Sequence, residues 1–386
     1  MSIRDWRSAY LRLRPQAALK QLEQPFIYNI AKDELYEIDE KAIGFFLRCN
    51  GSARGEELTS ESEFVEYCLE EGLLEAIPEP SLIHVSVNEK VEPSLRYFEL
   101  QLTQKCNLKC SHCYLGDSGA QEIPLSDAVS ITREFAGMGG LRLLISGGEP
   151  LLYKDLKSYL HLIKELKIRR VLFSNGTLIH SDTMSWLDVD EIQFSLDGWE
   201  KGHEAIRGPG SFDKTMAGIH AAAEADMAIS FSTMIHRDNL GEFDRMKEFI
   251  EGIGAVEWGI DVMAVSGSLA NHKELVVPYK EAVPFLDYAF GGGYHGAAEG
   301  YACGRHLMTV MPDGRAVKCG FYRDKPLGDA RKGLMECWLK MEHIPLNTLE
   351  CNGCSVLEDC RGGCRFRAPY PLAPDPAMCC YYGISR

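Results

Sequence analysis

The segment Cys106-Asn107-Leu108-Lys109-Cys110-Ser111-His112-Cys113-Tyr114 carries three cysteines at C-x3-C-x2-C spacing. A [4Fe–4S] cluster normally takes four protein thiolates. Three thiolates packed this closely can hold one cluster and leave one iron without a protein ligand. That open iron can take the amino and carboxylate groups of a small molecule and pass the molecule an electron. Zinc is the competing occupant, usually bound through C-x2-C pairs with further ligands. His112 is the nearest candidate for a fourth zinc ligand, but a tight loop points it away from its neighbours.

Other residues suited to ligand chemistry follow at intervals. Ser146-Gly147-Gly148-Glu149-Pro150 combines two glycines, whose backbone can approach a ligand closely, with a carboxylate able to accept from an ammonium group. Ser174-Asn175-Gly176-Thr177 and Ser195-Leu196-Asp197-Gly198 are polar turns, and Arg207-Gly208 follows them. The tail adds Cys303, Gly314 and Cys319, then Cys337, then Cys351-x2-Cys354-x5-Cys360-x3-Cys364, and finally Cys379-Cys380. A pair of zinc ribbons would show two paired knuckles, which this spacing does not give.

The cysteine trio, followed by the Gly-Gly-Glu-Pro turn, resembles the radical S-adenosylmethionine (radical SAM) family. The resemblance runs over roughly residues 97–290. It implies that Cys106, Cys110 and Cys113 hold the catalytic cluster and that its open iron chelates SAM. One electron then splits SAM to a 5′-deoxyadenosyl radical. By the same resemblance Gly147, Gly148 and Glu149 hold the methionine amino group, and Asn175 lies in a turn typical of the family. Ser195 and Arg207 face the SAM carboxylate and ribose, where a guanidinium suits a carboxylate. The backbone at Tyr114 borders the adenine. Asp197 is either a ligand contact or a turn former.

The tail resembles the SPASM extension, which binds auxiliary clusters in radical SAM enzymes that modify peptides, proteins or tetrapyrroles. Carried over by position, Cys303, Cys319 and Cys364 hold auxiliary cluster I. Cys351, Cys354, Cys360 and either Cys379 or Cys380 hold auxiliary cluster II. Cluster I is then one ligand short, with His306, Cys337 or an acid as candidate caps, or it stays open to substrate. Cys337 sits in a helical stretch where packing is the plainer role. Clusters of this kind also contribute folding energy to a tail of little regular structure.

These residues need elements to hold them in place. Strands are expected at Phe98–Leu102, Leu143–Ile145, Val171–Phe173, Glu191–Phe194, Ala228–Phe231 and Val256–Ile260. Helices at Ser126–Met138, Leu156–Leu166 and Asp213–Ala225 lie among them. Repeated strand–helix units imply a parallel sheet with right-handed crossovers. The expected fold is therefore α/β, a partial (β/α)6 TIM-like barrel at 95–290, with its site at the strands' carboxyl ends. An iron–sulfur domain follows at 300–386.

Residues 1–90 read as a small winged-helix-like α+β domain. Phe26–Ile30 and Glu34–Ile38 form a hairpin across Ala31-Lys32-Asp33. Asp39 caps a helix burying Ile43, Phe46 and Leu47, which ends at Cys49-Asn50-Gly51. A second helix, Ser60–Leu74, turns Phe64, Val65, Cys68 and Leu69 inward, and Cys49 and Cys68 pack in the core. Residues 79–95 read as a linker plus one strand. The domain resembles the peptide-binding chaperone of the pyrroloquinoline quinone pathway. In that family a leader peptide adds as a strand to the hairpin edge; the plain alternative is an N-terminal cap.

Composition narrows the function. The chain has 386 residues and a net charge of −15, which disfavours a nucleic-acid partner. No stretch reaches the roughly 18 apolar residues of a membrane helix, and the N-terminus lacks a signal peptide's apolar run. A cytoplasmic protein is expected, where 14 cysteines point to metal rather than disulfides. The resemblance implies a radical SAM/SPASM enzyme with SAM, one catalytic and two auxiliary [4Fe–4S] clusters, and a flavodoxin- or ferredoxin-type electron donor. It also implies a leader-bearing peptide substrate that receives a thioether or another crosslink. One alternative is a tetrapyrrole enzyme of haem d1 or alternative haem synthesis, with Arg361, Arg365 and Arg367 available to carboxylates. Another is a sulfatase-maturing enzyme, but that family has an aspartate after the second SPASM cysteine, where this chain has Gly320. A non-catalytic electron carrier is the reading from another class, and the presence of Glu149 and Arg207 argues against it.

Overall fold

The computed structural model describes residues 6–116, 119–292, 295 and 300–384. Residues 1–5 of the N-terminal unit, and part of the expected boundary between 290 and 300, lie outside them. The N-terminal unit holds β1 (Tyr10–Leu13), β2 (Ala17–Gln21), β3 (Pro25–Asn29), β4 (Glu34–Glu37), β5 (Asn50–Arg54) and β6 (Leu74–Ile77). They form two antiparallel three-stranded sheets, ordered β5-β1-β6 and β2-β3-β4. The expected hairpin is β3–β4. Asp39 caps the helix Glu40–Arg48 by accepting from the Ala42 amide at 2.7 Å.

Two expectations about this unit need correction. Phe45 and Phe46 are the buried side chains of the first helix, whereas Leu47 is exposed, because the helix is rotated by one position from the expected face. No strand forms between residues 78 and 96. Prolines 78, 80 and 93 remove amide donors there. The segment is held instead by backbone bonds such as Ile83 N–H to Asn50 C=O and Ser81 N–H to Gly51 C=O, and by side-chain bonds such as those between Asn88 and Gln21. Cys49 and Cys68 are core residues as expected, packed with Trp6, Leu11 and Val65.

The main body is one open ten-stranded sheet. Its centre is β7 (Tyr97–Gln101), β8 (Arg142–Ser146), β9 (Arg169–Ser174), β10 (Glu191–Ser195), β11 (Ala228–Ile235) and β12 (Glu257–Val262). These six strands are parallel and lie in chain order. Helices Leu125–Gly137, Leu156–Ile163, Ser211–Glu224 and Phe243–Gly252 connect them. Phe98, Leu100, Leu143, Ile145, Leu172 and Phe194 are fully buried on the helix-facing side. Glu99, Leu144, Phe173, Gln193, Ser195 and Ser232 alternate with buried residues and are only partly covered, which puts them on the inner face.

The sheet runs past both ends of this six-stranded centre. β13 (Phe290–Gly291) pairs antiparallel with β12. On the other side β14 (Leu307–Val310) pairs parallel with β7, followed by β15 (Arg315–Val317) and β16 (Gly328–Asp329). The cysteine-rich tail therefore contributes strands to the main sheet rather than folding wholly apart from it. Among the described residues no pairing joins β13 to β16, so the barrel is not closed.

The N-terminal unit is fastened to the amino-terminal end of this sheet. Asp33, at φ 59° in the hairpin turn, pairs with Arg142 at the start of β8 and with His295 Nε2 at 2.9 Å. Burial alone would raise this carboxyl, but His295 and Arg142 outweigh it and hold it below the usual carboxylate range. Arg169 donates to the carbonyls of Ile30 and Ala31 and pairs with Glu191. Lys20 Nζ donates to the carbonyls of Gly140 and Lys167 at 2.7 Å each, and burial lowers its pKa to about 7. Removing one member of a buried pair typically costs about 3–5 kcal/mol. Asp33→Ala should therefore lower the melting temperature sharply, while the exposed Glu37→Ala changes it little. Equal melting temperatures for the two variants would contradict this anchoring.

Candidate active site

The loop after β7 carries the cysteine trio and is tied down on three sides. Gly148 and Glu149 amides donate to the Thr103 and Lys105 carbonyls at 2.8 Å each. The Ser111 amide donates to the Ile206 carbonyl at 2.8 Å, on the helix Glu200–Arg207. The Ser268 amide donates to the Cys113 carbonyl at 2.9 Å, from the loop after β12. The two glycines are needed for this loop. A Cβ at Gly147, which has φ 143°, would lie 2.4 Å from the Thr103 carbonyl oxygen, and one at Gly148 would lie 2.3 Å from that of Lys105. The close approach expected for a ligand is thus made to the chain's own cysteine loop.

Glu149 follows at zero exposure. Its carboxylate accepts from the Asn175 amide at 2.9 Å, Ser174 Oγ at 3.0 Å and the Leu151 amide at 3.2 Å. Burial still dominates and raises its pKa to about 7. Asn175 also reaches the cysteine loop, donating from Nδ2 to Asn107 Oδ1 at 3.0 Å. Asn107 in turn donates to Thr177 Oγ1 at 2.7 Å. Ser195 ends β10, partly covered on the inner face.

Arg207 is not a surface residue. Its Nε lies 2.5 Å from Asp197 Oδ2, and its Nη1 lies 4.0 Å from Cys110 Sγ. Burial opposes its charge, but Asp197 outweighs burial and raises its pKa. Asp197 is 1% exposed. Its carboxylate also accepts from the Met234 amide at 2.8 Å, and His112 Nε2 lies 3.5 Å away. Its carbonyl faces His236 Nε2 at 2.8 Å and accepts from Asn239 Nδ2 at 2.7 Å. Asp197 thus fixes the guanidinium beside the cysteine loop. His203, His236 and Asn239 had no signature in the sequence beyond being polar, and only the fold brings them here.

The three thiols are chemically suited to an iron–sulfur cluster. Burial raises Cys106 and pushes Cys110 up to about 11, and in each case the neighbouring trio thiols add to the rise. These two thiols stay protonated while the loop is empty, and a soft cation bound among the trio would release their protons. Among the described residues no three His, Cys, Asp or Glu groups converge as a single-ion site would require. The side chain of His112 points to Asp197, in keeping with the expectation that it leaves the cysteines.

The tail brings two sets of cysteines together. Cys303, Cys319 and Cys364 act on one another electrostatically, with Lys318 and Arg365 beside them. Cys351, Cys354, Cys360 and Cys379 line one cavity, which Cys380 does not reach. Geometry therefore favours Cys379 over its neighbour for cluster II. After anaerobic reconstitution, Cys379→Ala should keep its iron but open one iron of cluster II to added ligands such as cyanide, read as a changed electron paramagnetic resonance signal, whereas Cys380→Ala leaves the spectrum unchanged. The reverse result would exchange their roles.

Both residues named as caps for cluster I have contacts elsewhere, and His306 Nε2 is buried without a hydrogen-bond partner among the described residues. His306 Nδ1 lies 2.8 Å from the Ser94 carbonyl, near Glu23, and secures the 79–95 segment. Cys337 is packed with Leu334, Trp338 and Met341 in the core. The acid that acts on Cys319 is Glu99, from β7.

The two cysteine regions meet at Tyr114 and Gly320, joined by Glu99, Gln101, Phe321 and Phe366, to which the sequence alone assigns no role. A Cβ at Gly320 would lie 2.6 Å from the Tyr114 ring, so an aspartate there would displace that ring. Tyr114 packs on Phe321 at 5.2 Å between centroids, and Phe321 stacks on Phe366 at 4.9 Å. The Tyr114 hydroxyl meets Glu99 and Gln101 at 3.3 Å each. Glu99 also accepts from Ser146 Oγ at 2.6 Å and Thr309 Oγ1 at 2.7 Å. A strand with acidic and amide side chains at alternate positions, where buried parallel strands are usually apolar throughout, was the available signal.

Residues 100–250 match the radical SAM superfamily, and the chain carries a radical SAM domain over that stretch. Enzymes of this family use a [4Fe–4S] cluster together with SAM. An AdoMet-dependent heme synthase of Nitratidesulfovibrio vulgaris is 27% identical over 341 residues, covering 74% of this chain and 91% of that protein. Matches to two other heme synthases cover 60% and 52% of their lengths. Among solved structures, Streptococcus suis SuiB bound to its precursor peptide SuiA superposes with a TM-score of 0.67 at 16% identity. That match covers 95% of this chain and 99% of SuiB. The enzyme anSMEcpe with bound AdoMet gives 0.57 at 16% identity, over 75% of this chain and 92% of its own. Among the described residues no helix is long and apolar enough to cross a membrane.

Proposed function

We propose that this enzyme modifies a ribosomally made peptide, abstracting hydrogen from one of its carbons to install a thioether or another crosslink. Cys106, Cys110 and Cys113 would hold a [4Fe–4S] cluster, and that group would supply the electron for reductive cleavage of SAM. Glu149 receives the methionine ammonium, while Ser195 and Arg207 face its carboxylate and ribose. The carboxyl-end loops hold the reacting atoms on the sheet's inner face, away from bulk water. The segment 300–386 acts as a SPASM domain whose two auxiliary clusters would take up the electron released, with a proton, as the crosslink closes, and residues 1–90 act as the peptide-recognition domain.

The observation that carries this reading is the state of the two edges of sheet β2-β3-β4. Strand β2 is buried against the main body, whereas β4 has one pairing neighbour among the described residues and exposed glutamates at both ends. An unpaired edge accepts an extended peptide by main-chain hydrogen bonds. The likeness to SuiB, which extends over this unit, supports the reading at the level of fold. The test uses the full chain with a candidate leader-bearing peptide. Its leader should slow amide exchange across Glu34–Glu37, and removing the leader should suppress modification but not SAM cleavage. Unchanged exchange with full modification would refute the recognition role.

A tetrapyrrole substrate is the second reading, favoured by the heme synthase match over nearly that protein's whole length. Two of the arginines first assigned to its carboxylates are already spent. Arg365 donates to the carbonyls of Gly362, Pro371 and Ala373, and Arg367 pairs with Asp375 and Asp261. Consumption of an iron porphyrin with matching 5′-deoxyadenosine release would select this reading over the first.

A further inference from the structure

We infer that Arg323 anchors a carboxylate of the substrate between the radical-generating loop and the auxiliary-cluster region. The inference deepens the functional reading above and rests on it only for where the carboxylate comes from. Arg323 lies four residues beyond Cys319, in the loop between β15 and β16. Its Nη1 lies 3.4 Å from Gln101 Oε1. Gln101 ends β7 directly opposite Ser146 of the Ser-Gly-Gly-Glu-Pro turn, and its amide reaches Glu99 at 3.1 Å and the Tyr114 hydroxyl at 3.3 Å. The charge of Arg323 is felt at that hydroxyl. The guanidinium therefore stands at the carboxyl end of the sheet, where the chemistry takes place.

Among the described residues Arg323 has no acid partner, and unlike Arg365, whose donors are filled by the carbonyls of Gly362, Pro371 and Ala373, it has donors to spare. Arg96, Arg142, Arg169, Arg170, Arg207 and Arg367 each pair with a carboxylate, as cations withdrawn from water require. Arg323 is partly withdrawn, and among the described residues its partner is a neutral amide at the long limit of a hydrogen bond. One N–H of five is used. The remaining donors form a fork that fits a carboxylate through two parallel bonds. In a chain of net charge −15 an incoming carboxylate meets general repulsion, so a specific cation is needed to hold one at this position. An acidic side chain or C-terminus of a peptide and a propionate of a tetrapyrrole present the same group.

The test uses the full chain, anaerobically reconstituted and saturated with SAM, with carboxyl-13C-propionate as probe. Binding is read by calorimetry and by 13C hyperfine coupling to the reduced cluster. Wild-type protein should bind propionate saturably. Arg323→Gln should weaken binding at least tenfold and remove the coupling, while SAM affinity and 5′-deoxyadenosine release stay unchanged. Arg323→Lys, which keeps the charge but not the fork, should fall between the two and guards against a folding defect. Equal propionate binding in wild type and Arg323→Gln, no saturable binding to wild type, or a loss of SAM affinity in the variants would each overturn the inference. Displacement of propionate then distinguishes the sources. Iron coproporphyrin III competing where its methyl ester does not indicates a tetrapyrrole, and an acidic core peptide competing indicates a peptide. Propionate binding that neither displaces leaves the anchor standing and refutes both substrate readings.

Discussion

Replacing Cys110 with alanine should abolish release of 5′-deoxyadenosine from SAM. The thiol is the central one of the trio, and Arg207 Nη1 lies 4.0 Å from it. Two thiolates do not hold a four-iron cluster against loss in solution, so iron should fall from about twelve to about eight per chain. The auxiliary sites lie in a separate part of the chain, and their visible absorbance should survive. Selective loss is therefore the expected pattern: complete for SAM cleavage, one third for iron. SAM cleavage retained by this variant would mean that the chemistry takes place at another cluster.

Changing Glu149 to glutamine should lower SAM affinity about a hundredfold, because a buried charged hydrogen bond to an ammonium is replaced by a neutral one. The wild-type enzyme should also lose affinity for SAM as pH drops below about 7, where burial has placed the Glu149 pKa in the empty site. The sign follows from linkage. The folded-state pKa lies above the unfolded value, so Glu149 favours the fold most below pH 4.5 and that contribution is lost as pH rises through 7. Keeping this carboxylate ionised in the empty site therefore costs about 3 kcal/mol at alkaline pH. A bound ammonium compensates the charge and recovers that cost, so SAM should stabilise the wild type more at pH 8 than at pH 6. Glu149→Gln should show no such pH dependence. A pH-independent affinity in the wild type would remove Glu149 from the ammonium site.

Much of the site's framework was legible because each strand ends in a recognisable turn. The six central strands lie within a few residues of their expected positions, since short apolar runs bounded by glycine and polar turns mark them. Asp39 was legible for a local reason, its reach to the Ala42 amide three residues on. What escaped depends on contacts between distant segments. Nothing near Leu307–Val310 announces that it pairs with Tyr97–Leu100. The Tyr114 ring was hidden because its neighbours, Gly320 and Phe321, come from the tail. Proximity in sequence also misled, since Arg365 and Arg367 sit among cysteines yet serve the local backbone and Asp375.

The N-terminal unit illustrates the same limit. Its hairpin was visible as alternation, but the role of its turn was not. Asp33 reaches into the main body, and Lys20 and Glu23 make further buried contacts there. Deleting residues 1–90 would leave Arg142 and Arg96 without those acids and expose the end of the sheet. Such a deletion removes stability together with peptide recognition, so exchange at the β4 edge tests recognition more cleanly.

The central claim is that Cys106, Cys110 and Cys113 leave one iron free for the amino and carboxylate groups of SAM. Pulsed electron–nuclear double resonance on the reduced protein, with SAM labelled by 15N at the amino group and 17O at the carboxylate, tests it directly. The account predicts couplings of directly bonded size for both labels, with both lost in Cys110→Ala. A reduced trio cluster with full SAM occupancy and no coupling to either label would contradict it.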